Sequence, residues 1–134
     1  MSHIPENLQY TRTHEWVLNN GDGSVTVGIT DHAQDLLGDM VFIELPETQQ
    51  NVDREEEIIV VESVKAASDV YAPVGGEVIA VNERLSTAPE LVNKDPYDDG
   101  WMIKLRVEDA ADLDELLSAA DYLELIELDQ EDTD

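Results

Sequence analysis

Lys65 has the clearest capacity for chemistry in this chain, because it is one of only three lysines among 32 acidic side chains. Two strand-like stretches, 58–62 and 70–73, flank it and predict a β-hairpin with the lysine at its tip. A side chain at a turn tip projects into solvent, where a modifying enzyme can reach the amine. The sequence therefore suggests a carrier of a covalently attached group. The plain alternative is a turn lysine that only improves solubility.

The other residues whose side chains could bind a metal or take part in catalysis form no recognisable pattern. His3, His14 and His32 lack the paired spacing of a zinc or iron site. Glu15 and Asp69 are carboxylates, but in so acidic a chain two carboxylates do not by themselves indicate acid–base catalysis. The sequence has no cysteine, so any redox chemistry needs an added group.

The charge of the chain is strongly skewed, with 7 basic against 32 acidic side chains and a formal net charge of −25. Nucleic acids and anionic membranes are bound through clusters of Lys and Arg, so neither is an expected partner. No apolar stretch approaches the roughly 18 residues of a membrane span, and residues 1–6 lack the basic and apolar regions of a targeting signal. These features predict a cytoplasmic protein.

The apolar pattern predicts a mainly β fold in a single domain of 134 residues, with its core at about 10–126. A hairpin signal at 19–23 joins the first two expected strands, and a polar loop is expected at 47–53. The predicted strands are 15–18, 24–29, 40–45, 58–62, 70–73, 76–81 and 101–107.

Two regions carry helical signals. A short helix is predicted near 31–37, with Thr30 or Asp31 as its N-cap and Gly38 as the residue that ends it. Leucines at helical spacing predict an amphipathic helix, or two helices, near 109–128. The acidic tail 129–134 has little apolar content and is expected to fray.

The hairpin segment Glu62–Ser63–Val64–Lys65–Ala66, followed by Ser68–Asp69, resembles the lipoyl-lysine hairpin of the glycine cleavage system H protein family. The resemblance continues in the order and spacing of segments from about Tyr10 to Ile126. Those segments are Thr13–His14–Glu15–Trp16, Gly28–Ile29–Thr30–Asp31–His32–Ala33–Gln34, Leu37–Gly38–Asp39, Glu44–Leu45–Pro46, Ala72–Pro73, Gly76–Glu77–Val78, Val81–Asn82, Asn93–Lys94–Asp95–Pro96–Tyr97 and Gly100–Trp101.

This resemblance implies a barrel-sandwich hybrid, the β-sandwich of lipoyl domains, with lipoic acid attached to Lys65 as N6-lipoyllysine. Glu62 and Ser68 would provide the hairpin context for attachment. The carrier would take the aminomethyl group of glycine from a pyridoxal-phosphate glycine decarboxylase to a tetrahydrofolate-dependent aminomethyltransferase. Dihydrolipoyl dehydrogenase would reoxidise the arm, and a lipoate-attaching enzyme would load it. Glu15, His32 and Asp69 would line a cleft for the loaded arm, and no residue would be catalytic.

Four other interpretations compete with this one. An H-like protein could instead be a lipoyl reservoir or relay that passes lipoyl groups to other complexes. A biotinyl domain would place methionines beside its lysine, where Val64 and Ala66 stand, and a lipoyl domain of a 2-oxoacid dehydrogenase would carry an acidic residue directly before the lysine. An unmodified acidic interaction domain is the structural alternative.

The charge generates a prediction about stability in salt. If the acidity is an adaptation to a cytoplasm with high salt, screening of the self-repulsion should raise the melting temperature markedly between low and molar KCl. Thermal unfolding followed by circular dichroism checks this. A melting temperature that stays flat across the range would instead favour basic partners as the reason for the acidity.

Overall fold

The chain forms two antiparallel sheets with short helices at their margins, in a computed structural model that describes residues 4–132 and side chains as far as Leu128. The strands are β1 (Gln9–Tyr10), β2 (Glu15–Asn19), β3 (Ser24–Ile29), β4 (Met40–Glu44), β5 (Asn51–Val52), β6 (Glu57–Ser63), β7 (Ala67–Tyr71), β8 (Gly76–Val81) and β9 (Ile103–Val107). The helices are α1 (Asp31–Leu37), α2 (Arg84–Thr87), α3 (Leu91–Lys94), α4 (Ala111–Asp114) and α5 (Ala119–Asp132).

One sheet has six strands in the order β1-β2-β3-β9-β8-β5, and the other has three in the order β4-β6-β7. The apolar side chains of both sheets pack into a common core that includes Val27, Ile59 and Leu105. A smaller cluster around Tyr10, Trp16 and Tyr122 joins α5 to the first two strands. This mainly β sandwich with several short helices confirms the predicted fold class.

The predicted short helix α1 forms as its end signals indicate. The Thr30 side chain, rather than that of Asp31, accepts a hydrogen bond from the backbone N–H of Ala33 at 3.1 Å. Gly38 ends the helix at a φ of +84°, a conformation that side chains with a Cβ rarely adopt. The chain then turns directly into β4.

Several elements differ from the sequence predictions. The expected polar loop 47–53 contains β5, which pairs with β8 and buries Val52. Strand β7 begins at Ala67, three residues before the predicted start, because its first residues pair with the end of β6. The two-residue strand β1 and the one-turn helices α2 and α3 carried no clear signal.

The C-terminal region is broken into two helices, α4 and α5, as one of the predicted forms allowed. Helix α5 continues to Asp132, beyond the predicted end at 128. The expected fraying of 129–134 stays a prediction, since Thr133 and Asp134 lie outside the described residues, as does His3 at the other end. Within 4–132, no helix is long and apolar enough to cross a membrane.

Candidate functional site

Lys65 lies in the tight turn between β6 and β7, as the sequence predicts. The backbone N–H of Ser63 donates to the carbonyl of Ala66 at 2.8 Å, which leaves Val64 and Lys65 as the two central residues. The Ser63 hydroxyl oxygen accepts from the backbone N–H of Lys65 at 3.2 Å and from that of Ala66 at 3.1 Å. One serine side chain thus satisfies the free donors of the turn and fixes its shape.

The turn also contacts the segment that follows α1. The backbone N–H of Val64 donates to the carbonyl of Asp39 at 3.0 Å. The aliphatic stem of Lys65 lies along Gly38, where an added Cβ would be only 3.2 Å from the lysine Cε. Glycine suits this position, because a residue with a Cβ would be strained at this φ and would crowd the lysine stem.

Asn93 of α3 fixes that segment in place. Its side-chain amide donates to the carbonyl of Gly38 at 2.9 Å and to the side chain of Gln34 at 3.0 Å. Its side-chain oxygen accepts from the backbone N–H of Met40 at 2.9 Å. A single side chain therefore holds together the end of α1 and the start of β4.

The ammonium group of Lys65 is exposed, and no salt bridge joins it to a carboxylate of the described residues. The predicted context residues Glu62 and Ser68 are also exposed, and they pair across the hairpin with Ala67 and Val61 respectively. Both side chains therefore lie beside the turn and are accessible to solvent, on opposite faces of the hairpin.

The other two lysines are placed differently. Lys94 is exposed at the end of the one-turn helix α3. Lys104 is half-buried within β9, and its ammonium lies 5.4 Å from the centre of the Trp101 ring. Neither lysine stands at the tip of a hairpin. Trp101 is itself half-buried against the smaller cluster, and Trp16 is fully buried, so both tryptophans have packing roles.

Glu15 is a buried carboxyl group, with only 2% of its surface exposed. The hydroxyl groups of Thr11 and Thr13 both donate to its Oε1, the former at 2.7 Å. Its Oε2 accepts from the backbone N–H of Tyr71 at 3.4 Å. No lysine or arginine of the described residues forms a salt bridge with it.

Burial dominates the electrostatics of this carboxyl group. Desolvation raises the pKa of Glu15 to about 7, although the hydrogen bonds from Thr13, Thr11 and the Tyr71 backbone act in the opposite direction. Near neutral pH the group is therefore close to half-protonated. A cation brought next to it would favour the charged form and restore a more ordinary pKa.

Glu15 opens into a surface cleft of about 660 Å³. Its walls come from the β1–β2 segment, from the end of β7 and from the stretch between α4 and α5. The lining residues are Tyr10, Thr11, Arg12, Thr13, Glu15, Arg54, Glu55, Tyr71, Ala72, Pro73, Glu115, Leu116 and Leu117. The lining combines aromatic and apolar groups with three carboxyl groups and two arginines, Arg12 and Arg54. It can therefore hold a ligand with an apolar body and a charged end, and the buried Glu15 offers acceptor oxygens to a cationic one.

The cleft and the hairpin tip are connected through β7. Asp69 is half-buried and lies two residues before Tyr71, so both side chains are on the same face of that strand. Asp69 therefore stands between the lysine tip and the cleft, although it is not one of the lining residues.

His32 occupies a different environment from Glu15. His32 lies on the first turn of α1, and its buried ring is 4.9 Å from the ring of His14. It does not line the cleft. His14 in turn shares a hydrogen bond of 2.8 Å with the hydroxyl of Tyr122, which also bonds Thr30 at 2.7 Å. This group of side chains ties α5 to the start of α1.

Metal-binding geometry in the described part of the chain is limited to one group of acidic side chains. Asp95, Asp98 and Asp99 place carboxylate oxygens within 4.8 Å of one another at the surface. Neither His14 nor His32 takes part. Such clusters are expected in a chain with this excess of acidic residues, and the group carries no functional assignment.

Sequence reasoning missed the roles of several residues that shape the site, although Ser63 lies in the lysine motif and Gly38 was expected to end α1. Ser63, Gly38 and Asn93 position the lysine, and Thr11 and Thr13 surround the buried carboxyl group. Thr11, Thr13 and Glu15 meet because residues 11–14 form a turn, in which the backbone N–H of His14 donates to the carbonyl of Thr11 at 3.3 Å, and that turn was not predicted.

Comparisons with known proteins agree with this geometry. The sequence profile of a family described as Glycine cleavage H-protein matches residues 8–129. A glycine cleavage system H protein of Chromohalobacter salexigens is 60% identical over 131 residues, covering 98% of this chain and all of that protein. One from Marinomonas sp. is 63% identical over 122 residues, covering 91% of this chain and 96% of its own.

A solved structure gives the same result in three dimensions. The crystal structure of a glycine cleavage system H protein from Mycobacterium marinum superposes with a TM-score of 0.81 at 38% identity. It covers 89% of this chain and 95% of that protein. The chain therefore belongs to the glycine cleavage H-protein family.

Proposed function

We propose that this chain is a non-catalytic carrier of glycine cleavage that bears a lipoyl group on Lys65. Membership of the H-protein family supports the carrier role. The observation that carries the assignment to Lys65 is its position at the tip of a rigid two-residue turn, with an exposed ammonium group that no salt bridge holds within the described residues.

The surroundings of Lys65 fit such an attachment. Formation of the amide bond requires the neutral amine, which attacks the carbonyl carbon of an activated lipoyl group. The bond from that carbon to the activating group breaks, the activating group leaves, and the amine loses a proton to the attaching enzyme. The stem lies along Gly38 while the amine points into solvent, so an enzyme can enclose the amine without unfolding the hairpin. When bound, the lipoyl group supplies a disulfide that accepts a carbon fragment and is reduced, chemistry that no side chain of this cysteine-free sequence offers.

Glu15 is the residue we propose to hold the cargo of the carrier. The carboxyl group is buried without a cationic partner among the described residues, and it faces a cleft of about 660 Å³. A cationic amine in that cleft would complete a charge-assisted hydrogen bond, while the walls exclude water. Asp69 would guide the arm from the turn to the cleft.

His32 belongs to the same proposal through α1. It lies on the first turn of that helix, and the Lys65 stem lies along the glycine that ends it. About 9 Å of helix separates the two positions, and His32 does not line the cleft, so its expected place beside the arm stays a prediction.

The proposed partners are the pyridoxal-phosphate glycine decarboxylase, the tetrahydrofolate-dependent aminomethyltransferase, dihydrolipoyl dehydrogenase and the lipoate-attaching enzyme. We place the carrier in the cytoplasm with them. Its role is then to present, protect and release a bound group, while the partner enzymes catalyse each reaction.

The first prediction is that Lys65 alone is lipoylated. Lys65→Arg should abolish the mass increase produced by a lipoate-attaching enzyme while leaving the melting temperature within about 2 °C, because the side chain is exposed. Intact mass and peptide mapping measure this, with Lys94→Arg as the matched control that keeps full modification. A lipoyl group found on Lys94 or Lys104 would refute the assignment.

The second prediction concerns the pH dependence of stability. The folded pKa of Glu15, about 7, lies above its ordinary value of 4.5, so the folded state keeps a proton that the unfolded state releases. The contribution of this proton to the free energy of unfolding is fully present below pH 4.5 and is lost as pH rises through 7. The loss amounts to about 3 kcal/mol.

Urea unfolding from pH 4.5 to 8 tests this prediction. The free energy of unfolding of the wild type, relative to that of Glu15→Gln, should decrease as pH rises. Glu124→Gln, which removes an exposed carboxylate on α5, should give a nearly constant difference. A constant difference for Glu15→Gln as well would contradict a proton held by this group.

The third prediction concerns protection of the cargo. Glu15→Ala and Asp69→Ala should leave lipoylation largely intact but speed the release of formaldehyde and ammonia from loaded protein by about tenfold, because a hydrogen bond to a charged group is lost. Decay is followed without the folate enzyme, with Glu124→Ala as control. Unchanged decay in both variants would exclude this cleft as the protective site.

A further inference from the structure

Four large apolar side chains are exposed close to the Lys65 turn. Leu36 on α1 is 60% exposed, Val41 and Phe42 on β4 are 55% and 48% exposed, and Val64 in the turn is 68% exposed. We call these four residues the apolar patch. Single exposed apolar residues are ordinary, whereas a group of them around one site marks an interaction surface.

The local backbone explains why these side chains lie together. The register of β4 against β6 shifts between Met40 and Phe42, and at such a bulge successive residues can face the same side. Val41 and Phe42 therefore both face solvent, while Met40 is buried. The hydrogen bond from Val64 to Asp39 brings the turn against the start of this strand.

The lysine is part of the same surface. Its stem lies along Gly38, two residues after Leu36 and three before Val41. Leu36 and Val41 thus flank the Gly38–Asp39 segment that contacts the Lys65 turn, and Val64 belongs to the turn itself.

Exposed acidic side chains accompany the patch in sequence on both elements: Asp35, Asp39, Glu44 and Glu62. Glu62 pairs directly with Phe42 across the two strands. A partner that covers the patch must therefore present an apolar centre with basic residues around it, because like charges at the rim would oppose association.

We propose that the apolar patch is the docking surface for the lipoate-attaching enzyme, whose complementary face is apolar with a basic rim. This inference rests on the proposed attachment at Lys65. The attaching enzyme makes its bond at the lysine nitrogen itself, so it must approach the protein surface within the length of one lysine side chain. Enzymes that act at the far end of the finished arm can dock at a greater distance.

The experiment measures the rate of lipoylation of Leu36→Gln and Val41→Thr by a purified lipoate-attaching enzyme. Both changes keep the local backbone preference, since glutamine favours helices and threonine favours strands. Each should lower kcat/KM for attachment by about tenfold, mainly through a higher KM, as expected for truncation of an apolar anchor in an interface.

Leu128→Gln is the matched control. Leu128 is 53% exposed and helical like Leu36, but it lies on α5, which packs against β1 rather than β4. This variant should be lipoylated at the wild-type rate. Circular dichroism and melting temperature of all three variants establish that they are folded.

A second measurement separates docking of the attaching enzyme from docking of the other partners. Variants lipoylated to completion with excess enzyme should support glycine decarboxylation within about twofold of wild type. The proposal is overturned if both patch variants are lipoylated as fast as wild type, if Leu128→Gln slows equally, or if decarboxylation falls as much as attachment. Failure of wild-type protein to accept lipoate would instead refute the proposed function.

Discussion

The placement of Lys65 depends on how the chain leaves α1. A helix ending in a left-handed residue exposes backbone groups that need partners, and Asn93 supplies them through the carbonyl of Gly38 and the N–H of Met40. With that junction fixed, the carbonyl of Asp39 points at the hairpin and receives the N–H of Val64. An amide side chain in a one-turn helix therefore determines where a turn almost thirty residues away in sequence is held.

The two titratable groups of the proposed site lie in opposite environments. The amine of Lys65 is exposed to solvent at a rigid turn, whereas the carboxyl group of Glu15 is buried and surrounded by hydroxyl groups. Strand β7 connects them, since it begins at the turn and its last residue donates its N–H to Glu15. A carrier requires this division, because the attachment point must be reached by enzymes while the attached cargo must be kept from water.

Local signals made the lysine hairpin, α1 and its end at Gly38 predictable from the sequence. Turn, cap and alternation rules depend on a few neighbouring residues, so they can be applied without knowledge of the fold. Strand β5 was missed because Val52 acquires its strand character only from pairing with Gly76 of β8. The role of Asn93 arises from contacts more than fifty residues apart in sequence, and the raised pKa of Glu15 arises from its burial by the folded chain, so no local pattern records either.

The absence of a side chain at Gly38 also sets the mechanics of anything attached to Lys65. Three carbons of the lysine stem lie within 3.7 Å of the place where a Cβ would be, so the stem runs beside the backbone instead of extending freely from its own Cα. The effective pivot of an attached arm is then displaced to the outer end of the lysine. Such an arm would start beside the end of α1, at the outer end of the lysine stem.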